Sequence, residues 1–438
     1  MAEQIKIPKR ILSSLLLSLG AGVVPRVGTP YVAIGRDKEI ASLLSDLETV
    51  DEGGSSMRFV IGKYGSGKSF LLQLMRGYAL EKGFICADAD LSPERRLSGS
   101  KGTGLATYRE LVKNLSSKAS PEGGALQSII SRWLSGLRSA LASEGITPDA
   151  PSYRSEMSAR IYALSRELEE MVGGFDFARI LDLYCRAYLD GNDELQSCCM
   201  KWLRGEYPTK SEARRELGVG SIIDDDSWYD AIKLLAVFAK KTGYRGLVVM
   251  IDECVNLYKI PNRISRENNY EKILAIFNDT LQGRAPGLAV IMGGTPQFLE
   301  DPRRGLYSYE ALYSRLNDGD FGGEYQNMMG PLIRLRRLSD NELLALINRI
   351  TQLHSQNYSW EARVTDADVM DFLRSRLSRA GAETLITPRE IIRDYITVLN
   401  ILYQNPQASF AEVVGGVATN EVKESDDDDI FSFEDIEL

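Results

Sequence analysis

The 438-residue chain contains one histidine, His354, so its chemistry excludes histidine-rich metal sites and imidazole relays. Its five cysteines, Cys86, Cys185, Cys198, Cys199 and Cys254, form no C-x-x-C pair. Thiolate zinc sites and a disulfide scaffold are thereby excluded, and a reducing cytoplasm is the expected compartment. Long apolar runs are also scarce. The amino-terminal stretch 11–19 is too short to span a bilayer and lacks a cleavage site, which argues against a membrane and a signal peptide. It is expected as an amphipathic helix seated on the core or on a neighbour. Basic excess is missing too, since 52 Lys and Arg stand against 61 Asp and Glu, a net charge of −9 at pH 7. Any DNA binding is then expected to be modest and salt-sensitive. Apolar residues, by contrast, make up 44% of the chain, enough for two or three domains.

The most informative segment is 57–69, an apolar strand running into G-x-x-x-x-G-K-S and then a helix predicted over 68–82. Glycines at 62, 65 and 67 permit backbone conformations that let successive amides turn inward around phosphates. Lys68 is positioned to reach the β and γ phosphates, Ser69 offers a hydroxyl to Mg2+, and the helix N-terminus adds its dipole. Gly62, Lys63, Tyr64, Gly65, Ser66, Gly67, Lys68, Ser69 and Phe70 are the candidate ATP-binding set. A second run, 246–253, has the continuous apolar pattern of a buried parallel strand and ends on two acids. Asp252 is predicted to hold the metal's shell and Glu253 to polarise an attacking water, which favours hydrolysis. A third such run, 287–295, ends on Thr295. That hydroxyl either orients the lytic water or caps the short helix opened by Pro296.

With Gly35-Arg36 upstream of the glycine loop, Arg315 downstream and Thr387-Pro388-Arg389 in a C-terminal helical segment, residues 34–405 resemble the AAA+ ATPases. The resemblance implies an α/β fold: a P-loop αβα sandwich with a parallel sheet, a C-terminal helical lid and a homo-oligomeric assembly. It implies that Gly35 and Arg36 line the adenine pocket, that Arg315 projects into a neighbouring subunit's site, and that Arg389 reaches the γ phosphate. Arg303 and Arg304 compete with Arg315 for the first arginine role, and Arg393 with Arg389. Between Lys68 and Asp252 lies far more chain than a minimal core needs, with helical periodicity over 116–225, as in Leu126, Ile129, Ile130, Trp133, Leu134 and Leu137. The expected domains are an arm at 1–33, a core at 34–330 with a helical insertion near 116–225, a lid at 331–405 and an acidic tail at 406–438.

A closer resemblance lies in 61–71, in Ala87-Asp88-Ala89-Asp90-Leu91-Ser92-Pro93-Glu94-Arg95-Arg96-Leu97 and in 105–111. Together they look like the BrxD-type ATP-binding proteins of BREX and related phage-defence operons. That resemblance implies a DNA-centred role beside a superfamily-two DNA helicase as partner. On the residues alone, Arg95, Arg96 and Lys101 in a Gly/Ser-rich segment form either a phosphate-contacting loop or a mobile connection. From Glu421 onward nine acids stand against Lys423, so the body of the chain is close to neutral. Ile430, Phe431, Phe433, Ile436 and Leu438 among those acids suggest a peptide that docks on a partner. The reading is a Mg2+-dependent ATPase of a defence system, with a nucleotide-gated switch and an ATP-stabilised scaffold as alternatives.

Overall fold

The computed structural model describes residues 7–99, 101–169, 171–317, 326–377 and 387–420. The acidic-aromatic tail lies outside them. The chain divides into two compact units, Arg36–Arg336 and, separately, Met1–Gly35 with Arg337–Leu438.

The larger unit is built on a five-stranded parallel sheet: β1 (Ser56–Gly62), β2 (Ile85–Asp90), β3 (Leu247–Asp252), β4 (Leu288–Gly294) and β5 (Leu332–Leu335). Their order is β2-β3-β4-β1-β5. β3 and β4 are buried along their whole length because helices cover both faces. Helices Asp37–Asp51 and Lys68–Glu81 lie on one face, and Thr103–Lys113, Trp228–Lys241 and Arg263–Leu281 on the other. Parallel pairing brings all C-terminal strand ends to one edge. There β4 separates the end of β1 from the end of β3, and Asp90 stands in register with Asp252.

Five helices stand between Thr103–Lys113 and Trp228–Lys241: Leu126–Ser143, Tyr153–Glu169, Gly174–Asp190, Asp193–Leu203 and Lys210–Leu217. The stripe Leu126, Ile129, Ile130, Trp133 and Leu134 is buried, as its spacing predicts. It does not close on a core of its own: Trp133 and Phe177 both meet Phe238 edge-on, at 5.3 and 6.1 Å, so insertion and sheet share one apolar core. Helix Trp228–Lys241, apolar on two sides, is what allows this.

The smaller unit is helical, with Lys9–Gly20, Asp340–Tyr358, Asp366–Leu377, Pro388–Gln404 and Phe410–Asn420. Capping boxes start two of these helices, Ser339 with Glu342 and Thr387 with Glu390, each satisfying backbone donors that a helix start leaves open. The stripe Leu12, Leu15, Leu16 and Leu19, expected on the core or on a neighbour, is covered by helices Pro388–Gln404 and Asp340–Tyr358 of the same unit. Spacing identifies an apolar face but not its distant partner. Among the described residues no helix is long and apolar enough to cross a membrane.

Candidate nucleotide site

The glycine loop leaves β1 with its backbone already committed. A Cβ on Gly62 would fall 2.2 Å from Ser66 Oγ and 3.1 Å from the Cβ atoms of Ser66 and Leu335, so a larger residue there would push on the loop and on β5. Gly65 and Gly67 sit at φ 75° and 90°, where a side chain would cost about 1–2 kcal/mol. Gly67 is the N-cap of helix Lys68–Glu81, whose open first-turn amides and dipole form an anion seat. Lys68 Nζ donates to the carbonyls of Gly62 and Lys63, at 2.9 and 3.2 Å. Desolvation holds the Lys68 ammonium below the usual lysine range, opposed by the charges of Asp252 and Glu253. Lys63 is exposed, Tyr64 is 77% exposed and Phe70 is half-buried.

Ser69 Oγ donates to Asp252 Oδ2 at 2.6 Å, joining the loop to the acidic strand across the end of β4. Asp252 is nearly buried, and its Oδ1 accepts from the Glu253 amide at 2.8 Å. Gly293 of β4 makes room for that carboxylate, because a Cβ there would lie 2.3 Å from Oδ1. The Ser69 and Asp252 oxygens fit a hard divalent cation, which prefers oxygen donors. Glu253 then turns out of the strand in a left-handed conformation, φ 57°, which for a non-glycine residue costs on the order of 1–3 kcal/mol. That turn leaves its side chain exposed at the sheet edge while Asp252 stays nearly buried.

Asp90, which sequence reasoning did not single out, ends β2 beside Asp252. Burial holds its carboxyl above the usual range, reinforced by Asp252, Glu253 and Asp88. The run Asp88-Ala89-Asp90 at a strand end was the available signal.

The remaining candidates are placed as follows. Thr295 Oγ1 accepts from the Phe298 amide at 3.3 Å and so caps helix Pro296–Glu300. Arg315 is exposed and donates to Asn278 Oδ1 and the Ala311 carbonyl. Arg304 donates to the Tyr258 and Ile260 carbonyls and lies over the Tyr258 ring, whereas Arg303 is exposed. Gly35 and Arg36 fall in different units: Gly35, φ 71°, meets the Glu342 side chain, while Arg36 is buried in the sheet unit. Arg389 is exposed at the start of helix Pro388–Gln404, near Gly22, and Arg393 pairs with Asp394.

The segment after β2 is stapled from three sides. The Asn269 side chain accepts from the Leu97 and Ser98 amides and donates to the Ser98 carbonyl. Asp225 accepts from the Gly102 and Leu105 amides, and Trp228 Nε1 donates to the Leu97 carbonyl. Arg95 Nε reaches the Asp90 carbonyl at 3.0 Å, and Arg96 Nε the Pro93 carbonyl at 2.8 Å.

An anion seat at the end of one parallel strand, with a buried aspartate two strands away and tied to it through Ser69, makes this a P-loop ATP-binding protein. More particularly, the chain belongs to the family of BREX system ATP-binding proteins BrxC/D, whose model matches residues 7–417. No curated protein matches it.

Proposed function

We propose that this defence-system ATP-binding protein hydrolyses ATP with Mg2+ and couples turnover to DNA or DNA-associated machinery. It would act in the cytoplasm as a homo-oligomer beside a superfamily-two DNA helicase. The observation that carries hydrolysis is the division of labour at the end of β3. Asp252 is bonded to Ser69, and the strained backbone of Glu253 brings a second carboxylate to the edge where the attacking water would stand.

In this reading Lys68 balances charge on the β and γ phosphates, and the amides of 65–69 fix the triphosphate for in-line attack. Glu253 accepts the water's proton as the oxygen bonds to phosphorus and the bond to the β-phosphate oxygen breaks. Ser69 and Asp252 would hold Mg2+, which would supply positive charge to the phosphate oxygens. The DNA-directed part is supported by Arg95, whose Nε reaches the Asp90 carbonyl at the end of β2, with Arg96 next to it in the chain, and by the family resemblance. A nucleotide-gated switch with slow turnover is the second reading, favoured by Arg315, which is held to its own chain rather than extended.

The test is steady-state ATP turnover over a series of protein concentrations, with and without duplex and single-stranded DNA. The proposal expects a rise with both concentration and DNA. Slow turnover indifferent to both would replace it with the switch.

A further inference from the structure

Arg36 is 4% exposed, at the N-cap of helix Asp37–Asp51. A guanidinium taken out of water needs partners of its own, and Arg36 finds them in backbone. Its Nη2 donates to the Ser66 carbonyl at 2.9 Å and to the Arg336 carbonyl at 2.7 Å, while Nη1 stands 3.4 Å from Glu39 Oε1. One of these carbonyls belongs to the phosphate loop. The other follows directly on β5, which pairs with β1 in register up to Gly62 and Leu335.

We infer that Arg36 is a positioning residue for the phosphate loop: by holding the Ser66 carbonyl it aims the Gly67 N–H into the phosphate cradle. The inference rests on the ATP-binding reading of this site. In a planar trans peptide the carbonyl and the following N–H point in opposite directions. Tying the Ser66 oxygen to Arg36 therefore turns the Gly67 amide to the far side. A peptide next to glycine is otherwise free to flip, since Gly67 tolerates either sign of φ. The Ser66 side chain offers no competing restraint, because its Oγ is buried with no hydrogen-bond partner. The Arg336 carbonyl fixes the guanidinium to the end of an edge strand, so the loop is braced against the sheet rather than against another loop.

Lysine cannot reproduce this brace. Its single ammonium is a point charge, whereas the planar fork of arginine serves several acceptors in fixed directions. The resemblance assigned Arg36 to the adenine pocket. A brace and a base contact differ in what they lose: a brace supports every phosphate ligand alike, and a base contact supports only ligands that carry adenine.

The experiment compares wild type with Arg36→Lys and Arg36→Gln in full-length protein, titrating ATP and, separately, inorganic tripolyphosphate. Backbone hydrogen exchange over 62–69 is followed without ligand. Both ligands are expected to weaken by the same factor, about tenfold or more, the scale of a lost hydrogen bond to a charged group. Exchange over 62–69 should accelerate ahead of exchange in β3 and β4, whereas a general loss of stability would raise both alike. Loss of ATP affinity with tripolyphosphate unchanged would overturn the inference in favour of an adenine contact, and unchanged affinity for both would remove any role. If Arg36→Gln does not fold, Arg36→Lys decides. Failure of the wild type to bind ATP would sink the site reading itself instead.

Discussion

Gly293→Ala tests whether the notch in β4 holds Asp252 where the proposed hydrolysis needs it. The added Cβ would lie 2.3 Å from Asp252 Oδ1 and 3.1 Å from its Cγ. An ordinary carbon–oxygen contact needs about 3.3 Å, so the carboxylate must retreat by about 1 Å. It cannot retreat freely, because Ser69 Oγ holds one oxygen at 2.6 Å and the Glu253 amide holds the other at 2.8 Å. One of those bonds must lengthen. A displacement of about 1 Å at a reacting centre lowers rate on the order of a hundredfold, about 2.7 kcal/mol of barrier. The fold should be little disturbed, since only the ends of the Asp252 and Leu72 side chains must give and the pairing of β4 with β1 and β3 is untouched. The assay is steady-state ATP turnover with a thermal melt on the same samples. Turnover within about threefold of wild type would refute the reasoning, because the aspartate would then tolerate displacement.

Two pH-linked substitutions follow from titratable groups whose ionisation the fold disfavours. Asp90 is pushed above the usual carboxyl range by burial and then by Asp252 and Glu253, so its contribution favours folding at low pH and is lost as pH rises through its native pKa. Asp90→Asn should therefore raise the thermal midpoint at pH 7, with the gain vanishing below about pH 4, and a gain equal at all pH would contradict this. His354 is pushed below its usual range by burial, partly offset by Asn400, while its Nδ1 accepts from Trp360 Nε1 at 2.9 Å. A histidine that resists protonation in the fold contributes full stability above about pH 6.5 and loses it as pH falls further. Melts between pH 7 and 5 should decline in wild type and flatten in His354→Gln; parallel profiles would count against this account.

The parts of the site legible in the sequence are those whose chemistry is contiguous. Residues 57–69 carry strand, glycine loop and helix start within one stretch, and 246–253 carries a buried strand with its acids attached. The helix stripes of the insertion were legible for the same reason. What could not be read depends on which distant segments become neighbours. Asp90 matters because β2 pairs with β3 in a register that sets it beside Asp252. Gly293 matters because β4 lies between the two functional strands. Arg36 reads as a ligand-facing residue from its motif, yet its donors go to the backbone of Ser66 and Arg336. Residues 95–99 and 101–102 read as loose from their glycines and serines, while the restraints on them, Asn269, Asp225 and Trp228, come from two helices and a turn far along the chain. The amino-terminal helix shows the same limit, with a legible apolar face and an illegible partner.

The central claim is that Glu253 turns a bound triphosphate into a hydrolysed one. The direct measurement is ATP binding and ATP turnover by wild type and Glu253→Gln side by side. The account predicts that the variant binds ATP as tightly as wild type and turns it over at least about a hundredfold more slowly, as expected on removing a general base. Equal turnover by both proteins would contradict it and remove Glu253 from the chemistry.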